Sequence, residues 1–317
     1  MKHFGDGSMH KICKNCGFKN PSNRMFCQNC RIMIRYITSY DFTSEDIITD
    51  GDKQAVEDLK SINSVIELIY KTVVEPRLRN VAAKISMTGE YNPEIESLAT
   101  DCADVLSLER MPIVNVSNVG QSTAMTTGTE LDAAIIIDSS IVPLLSDKEL
   151  KALIGHEMGH IKSHHLKYHA VAEQLERGIA FSGSIIGMNL ISMPVRMALM
   201  SWHRESEISA DRASLLAAGE LSSAMSMFVK ILGKSGQRIN SDSTFSSIFE
   251  VMQTHPNHSK RIKALQKFSI SEHYNEIKKK LERRKIFQKA FIEICKFCGS
   301  SKQIEDTFCP SCGKSLI

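Results

Sequence analysis

The chain has little net charge, no long unbroken apolar run, and few aromatic residues beside its cysteines. Its 39 Lys and Arg against 36 Asp and Glu leave a formal charge of +3 over 317 residues, so the overall balance does not argue for nucleic acid as a partner. The run Ile179–Val195 holds 17 residues and includes Ser182, Ser184, Asn189 and Ser192. A membrane-spanning helix needs about 20 mostly apolar residues. The expectation is therefore a buried helix or a flap, with a membrane span as the rival reading. The polar start of the sequence lacks the apolar stretch of a secretory leader, which leads to the expectation of a reducing, cytoplasmic setting. A hydrophobic fraction of 42% fits a globular core, and the length suits one large domain with small appendages.

Cysteine is present and patterned. Eight of the nine cysteines form four C-x-x-C pairs in two sets: Cys13, Cys16, Cys27 and Cys30, then Cys295, Cys298, Cys309 and Cys312. Both sets have ten residues between their pairs, and Gly17, Gly299 and Gly313 directly follow a pair. Two such turns can place four thiolates around one tetrahedral zinc. Each set is thus expected to be a ribbon holding one structural zinc. Disulfides are the rival reading, and a reduced setting favours the metal. Domains this small take their folding energy from the ion rather than from apolar burial. Cys102, alone in an apolar helical pattern, is expected in the core.

A further pattern is His156-Glu157-Met158-Gly159-His160, an H-E-x-x-H motif in a segment that reads as helix from about Asp147 to Arg177. Positions four apart lie one turn along the same helix face. Both imidazoles can therefore reach one zinc, with Glu157 beside them to act on a bound water. Ser146 and Glu149 form a capping box ahead of the motif, and Leu150, Leu153, Ile154, Met158 and Ile161 recur at helical spacing. The alternative is a surface helix with solvated His and Glu.

Around this helix the periodicity predicts a long helix from Asp52 to about Asn80, with a kink at Pro76, and a second from Glu94 to Leu108. Residues 112–116 and 133–138 read as strands, with Thr126-Thr127-Gly128-Thr129 as a turn or bulge between them. Residues 220–233 and 275–294 read as amphipathic helices, the second with Lys278, Lys279, Lys280, Arg283, Arg284 and Lys285 on its polar side. The expected layout is a ribbon at 1–35, a catalytic domain at 36–290 and a ribbon at 291–317.

A catalytic zinc needs a third protein ligand and an open position. The metzincin pattern is excluded, because Ser163 and Leu166 stand where its Gly and third His belong. His164, His165 and His169 would splay along a straight helix, so they are expected to be solvated or to support the ligands by hydrogen bonds. Glu207 and Asp211 in Arg204-Glu205-Ser206-Glu207-Ile208-Ser209-Ala210-Asp211-Arg212 share one helix face. A second helix laid on the first would let Glu207 bind zinc and Asp211 accept a ring N–H from a ligating His. Ordinary surface acids paired with Arg204 or Arg212 are the rival reading.

The order H-E-x-x-H, then E-I-S-A-D-R, then Thr254-His255-Pro256 followed by Arg261-Ile262 and Leu265 resembles the HtpX/CAAX-protease type of zinc metallopeptidase, peptidase family M48. The resemblance covers about residues 50–270. It implies an α+β, mainly α fold: a zincin-type core with a small sheet, to which the two ribbons are additions. It implies His156, His160 and Glu207 as ligands of one catalytic zinc and Glu157 as base. Asp211 would stand behind the ligands, His255 near the metal, and Arg261 against acids behind the site. His255 has three readings: donor to the oxyanion, a fourth ligand in a resting state, or a helix-capping residue.

The expected activity is zinc-dependent hydrolysis of peptide bonds in protein or peptide substrates, with protein quality control as a setting. An alternative is a zinc-ribbon scaffold that docks on a partner, on a second copy or on nucleic acid, using the basic 278–285 run. That run more often marks a solvated face, and the ribbons offer few aromatics for stacking (Phe18, Phe26, Phe297, Phe308). A third reading is a membrane-associated protease that uses Ile179–Val195.

Overall fold

A computed structural model describes residues 10–21, 24–35, 38–78, 84–85, 90–118, 120, 123–176, 188–234, 256–290, 292–295, 297–298, 301–303, 306–309 and 311–315. The chain divides into two compact units. One gathers Met1–Phe42, Ser107–Met111 and Asn275–Ile317, and the other holds Thr43–Leu106 and Pro112–Tyr274.

In the first unit each cysteine set carries its own two-stranded antiparallel sheet: β1 (His10–Ile12) with β2 (Lys19–Pro21), and β6 (Ile292–Ile294) with β7 (Ser301–Gln303). The helix read over 275–294 ends earlier. Helix α9 spans Glu272–Ala290, and residues 292–294 are β6 instead. Arg284 does not lie on a solvated side either. It is buried, donating to Ser107 Oγ at 2.7 Å and facing Asp41 Oδ1 at 3.4 Å.

The second unit begins with α1 (Asp50–Leu59), capped by the Thr49 hydroxyl on the Asp52 N–H. A 3-10 turn, Lys60–Ile62, follows, then α2 (Asn63–Ile69) and a π-helical turn, Tyr70–Val74. The long helix read from Asp52 is therefore a broken one. Helix α3 spans Pro93–Val105, with Asn92 as its cap and Pro93 at its first position, where a missing N–H costs nothing.

The sheet of this unit has the order β3-β5-β4, from β3 (Ile113–Ser117), β4 (Ala124–Gly128) and β5 (Ala133–Asp138). β3 runs parallel to β5, and β4 antiparallel. The apolar run of β5 is buried throughout, as befits a central strand covered on both faces. Thr126-Thr127-Gly128 is part of a strand, not a turn. The reversal comes after Gly128, at φ +102, where a Cβ would stand 2.2 Å from the Asp132 carbonyl oxygen.

The remaining helices are α4 (Asp147–Lys162), α5 (Leu166–Glu176), α6 (Met188–Ala218), α7 (Leu221–Lys234) and α8 (Pro256–Ser269). The predicted single helix over 147–177 breaks between α4 and α5. His164 takes φ +58, its N–H bonds to Ile161 O at 3.2 Å, and the His165 N–H bonds to His160 O at 3.0 Å. These two bonds make a Schellman ending. Glycine is the usual residue at that position, and its absence hides the break from sequence. One apolar cluster joins α1, α2, α5 and α6 through Leu59, Ile66, Ile69, Val171, Leu175, Leu199 and Trp202. No helix among the described residues is long and apolar enough to cross a membrane. Residues 179–187 of the Ile179–Val195 run lie outside the described residues, and the rest begins α6.

Candidate active site

Two helices must meet closely for residue 207 to reach the H-E-x-x-H motif. Small residues allow it. A Cβ on Gly155 would stand 2.3 Å from the Cβ of Ala217, and one on Gly159 would stand 2.7 Å from the Cβ of Ala213 and 3.0 Å from the Cα of Ala210. The seam of Gly155 and Gly159 on α4 against Ala210, Ala213 and Ala217 on α6 therefore sets the separation of the two helices. The capping box fixes where α4 starts: Ser146 N–H donates to Glu149 Oε2 at 2.7 Å, and Glu149 N–H donates to Ser146 Oγ.

Across this seam three donor groups converge. His156 Nε2 lies 3.5 Å from Glu207 Oε2, and His160 Nε2 lies 3.4 Å from Glu207 Oε1. Two ligands about 2.05 Å from a tetrahedral ion are roughly 3.3–3.4 Å apart. Each imidazole thus stands near co-ligand distance from the Glu207 carboxylate, and the three residues form a group that could hold a metal ion. The two imidazole rings are edge to face, with centroids 4.9 Å apart.

The acids read as possible surface pairs with Arg204 or Arg212 are in fact partners of a different arginine. Arg261 on α8 donates from Nε and Nη2 to both oxygens of Asp211, at 2.8 and 2.7 Å, and its Nη1 lies 2.8 Å from Glu207 Oε2. Asp211, fully buried, also stands 3.0 Å from His156 Nδ1. Glu157 takes a hydrogen bond from the Thr126 hydroxyl on β4, at 2.5 Å. Three carboxylates, Glu157, Glu207 and Asp211, thus gather with one guanidinium, Arg261, around the two imidazoles.

Burial works against a charged His156, but Asp211 and Glu207 push it up to about 10. Burial lowers His160 despite Glu207. Burial alone would raise Glu207, yet Arg261 and the two imidazoles hold it well below the usual carboxylate range. The same balance, led by Arg261 against burial, lowers Asp211.

The site opens on a cavity of about 450 Å³, whose lining includes Thr126, His156, Glu157, His160, His169, His203, Glu207, Phe228 and Arg261. Strand β4 lies along it. Sequence reasoning passed over Thr126, His203 and Asp52. The three histidines after the motif part ways. His164 is exposed beside Glu130, at 3.1 Å. His165 is buried, with its Nδ1 3.2 Å from His160 Nδ1. His169 packs edge to face on His160 and shares a hydrogen bond with Ser206 Oγ. Burial and the neighbouring imidazoles hold His169 well below the usual histidine value. His255 lies outside the described residues.

The two cysteine sets pass a similar geometric test. Cys13 and Cys30 sulfurs are 3.6 Å apart, Cys16 and Cys27 3.6 Å, Cys295 and Cys312 3.9 Å, and Cys298 and Cys309 3.7 Å. Thiolates about 2.3 Å from a tetrahedral zinc are roughly 3.8 Å apart. All eight are free thiols in groups of four that could hold a metal. Cys102 is fully buried, and burial pushes its thiol up to about 12.

The chain is similar in sequence to known proteins over part of its length. The chain is 26% identical over 157 residues to the plastoglobule-localized metallopeptidase 48, chloroplastic, of Arabidopsis thaliana, covering 49% of this chain and 45% of that protein. It is 32% identical over 102 residues to a protease HtpX homolog of Pediococcus pentosaceus, covering 32% and 33%. With the protease HtpX homolog 2 of Methanosarcina mazei it shares 23% identity over 214 residues, 55% of this chain and 72% of that one. The chain thus spans less than half the length of the first two. No solved structure matches it. The model of Peptidase family M48 matches residues 90–269, a stretch that contains the H-E-x-x-H helix, Glu207, Asp211 and Arg261, and the chain belongs to that metallopeptidase family.

Proposed function

We propose that the chain is a zinc-dependent endopeptidase that cleaves peptide bonds of protein substrates. The observation that carries this reading is the convergence of His156 and His160 on the Glu207 carboxylate, near co-ligand distance, beside Glu157. When bound there, zinc would lower the pKa of a coordinated water to about 7 and polarise the scissile carbonyl. Glu157, oriented by Thr126, would take the proton from the attacking water and hand it to the leaving amine. Asp211 would accept the Nδ1 proton of His156 and keep its Nε2 turned to the ion. Arg261 would hold both acids in place. His255 is proposed as the donor to the developing oxyanion.

An extended substrate could pair its backbone with a free sheet edge. β5 is the central strand, already paired on both sides by β3 and β4. Strand β4 is the edge beside the cavity, and backbone pairing along it would suit unfolded chains of varied sequence. That is the basis for quality control as the setting. Each cysteine set is proposed to hold one structural zinc, giving three zinc ions per chain and ribbons at 1–35 and 291–317 around a peptidase domain at 36–290. The ribbons are proposed as surfaces for a partner or a second copy. A cytoplasmic location goes with thiols that must stay reduced to bind zinc.

The test is cleavage of a casein-like substrate by the full chain. Activity should vanish when a chelator strips the H-E-x-x-H metal and return on adding zinc. Undiminished cleavage with that metal removed contradicts the proposal.

A further inference from the structure

His160 has a second neighbour besides Glu207, and the chain of contacts behind it leads out of the motif altogether. Its Nδ1 lies 3.2 Å from Nδ1 of His165. The other nitrogen of His165, Nε2, lies 3.0 Å from Oδ2 of Asp52, with both side chains almost wholly buried. Asp52 is itself held from three directions. Trp202 Nε1 donates to its Oδ1 at 3.1 Å, Ser209 Oγ donates to its Oδ2 at 2.6 Å, and its backbone N–H is capped by Thr49. It sits in the first turn of α1, ahead of the residues that the family match covers.

We propose that Asp52 and His165 are positioning residues of the metal site, which fix the tautomer of His160 through a buried carboxylate–imidazole–imidazole chain. The inference rests on the zinc reading above. With His165 neutral, the proton count leaves one arrangement. A carboxylate only accepts, so the proton of His165 sits on Nε2 and points to Asp52. A neutral His165 then has its lone pair on Nδ1. One proton fits between the two Nδ1 atoms, so His160 carries it and donates. His160 is left with its lone pair on Nε2, the atom that faces Glu207 Oε1. The two histidines thereby differ: His156 Nδ1 stands 3.0 Å from Asp211 itself, and His160 reaches Asp52 through a second ring. The Schellman ending of α4 makes this possible, because it turns His165 back beside the ring five residues earlier. A pair that served packing alone would be complete with His165 and Asp52. The contact to His160 Nδ1 ties it to the metal.

Three variants of the full chain test the proposal. In Asp52→Asn the Trp202 donor keeps the amide oxygen at Oδ1, so the amide nitrogen faces His165 Nε2. The proton of His165 must then move to Nδ1, and that of His160 to Nε2, where it blocks the metal. His165→Leu removes the acceptor outright. His165→Gln keeps one acceptor and one donor and serves as the conservative rescue. Zinc affinity of the H-E-x-x-H site, read by chelator competition, should fall about 10- to 100-fold in Asp52→Asn and His165→Leu and stay near wild type in His165→Gln. Zinc retained by the cysteine sets and thermal unfolding report on the fold. Long-range proton–nitrogen NMR of the zinc-loaded wild type should find the proton on Nδ1 of His160 and on Nε2 of His165, a readout that does not depend on any variant folding. Equal affinity in all three variants, or a proton on Nε2 of His160, overturns the proposal. If His156→Ala leaves the metal content of the chain unchanged, the zinc reading fails and this inference falls with it. If His156→Ala removes one zinc while Asp52→Asn and His165→Leu bind it normally, the inference alone fails.

Discussion

Gly155→Ala is the perturbation that tests how Glu207 reaches the motif. On an isolated helix this change would stabilise by about 1 kcal/mol, since alanine is the better helix former. In the seam it does the opposite. The new Cβ would stand 2.3 Å from the Ala217 Cβ and 3.2 Å from the Ala213 carbonyl oxygen. Reaching 3.4 Å, the near edge of ordinary contact, requires α4 and α6 to part by about 1.1 Å. Overpacking of this kind costs about 1–3 kcal/mol, which offsets the propensity gain and leaves a net loss of roughly 1 kcal/mol. The larger effect is on the site. His156 and His160 ride on α4 and Glu207 on α6, so their spacing would open to about 4.5 Å, past what one tetrahedral zinc spans. A displacement near 1 Å at a reacting centre costs on the order of 100-fold in rate. Thermal unfolding, chelator competition and casein cleavage read the three effects, and Gly155→Ala combined with Ala217→Gly should recover most of each. A Gly155→Ala protein that is more stable than wild type, with unchanged zinc affinity and rate, would refute the close-seam argument.

Glu157→Gln should keep all the metal and lose about 10²- to 10⁴-fold in casein hydrolysis, and cleavage at the native rate would remove Glu157 from the mechanism. His164→Gly should stabilise the chain by about 1 kcal/mol, because glycine carries no penalty at φ +58, and a lowered midpoint of unfolding would contradict the Schellman ending. Glu149 lies below its usual value, since hydrogen bonds from Lys230, Ser226 and Ser146 outweigh burial. A carboxyl depressed in the folded state stabilises above its unfolded pKa and loses that contribution as pH falls through the folded one. The stability gap between wild type and Glu149→Gln should thus be full at neutral pH and close below about pH 4.5, and a gap independent of pH in urea unfolding would show the carboxylate is not the source.

The parts of this molecule readable from sequence are those with local rules. Ser146 and Glu149 mark the start of α4, and Ala133–Asp138 reads as a strand because an unbroken apolar run suits a central one. The cysteine pairs declare their own spacing. Glu207 was a candidate because it shares a helix face with Asp211 and because the E-I-S-A-D-R element resembles the M48 pattern; what makes its approach possible is the glycine and alanine seam, which no periodicity reveals. His165 was read as solvated or as a hydrogen-bonding support of the ligands, but the turn that decides between the two was hidden. Without glycine at position 164 the helix reads as continuous, so the turn that brings His165 behind His160 leaves no trace. Asp52 lies more than a hundred residues from the ring it supports, and reads as one more acid near a helix start. Arg284 reads as part of a basic face because its partners, Asp41 and Ser107, are equally remote in the chain.

The most direct test of the account is a diffraction map at the zinc absorption edge from crystals of the zinc-loaded chain. It should show an ion about 2.0–2.2 Å from His156 Nε2, His160 Nε2 and a Glu207 oxygen, apart from those held by the cysteine sets. A map with no ion there, and the Glu207 carboxylate engaged by Arg261 alone, would contradict it.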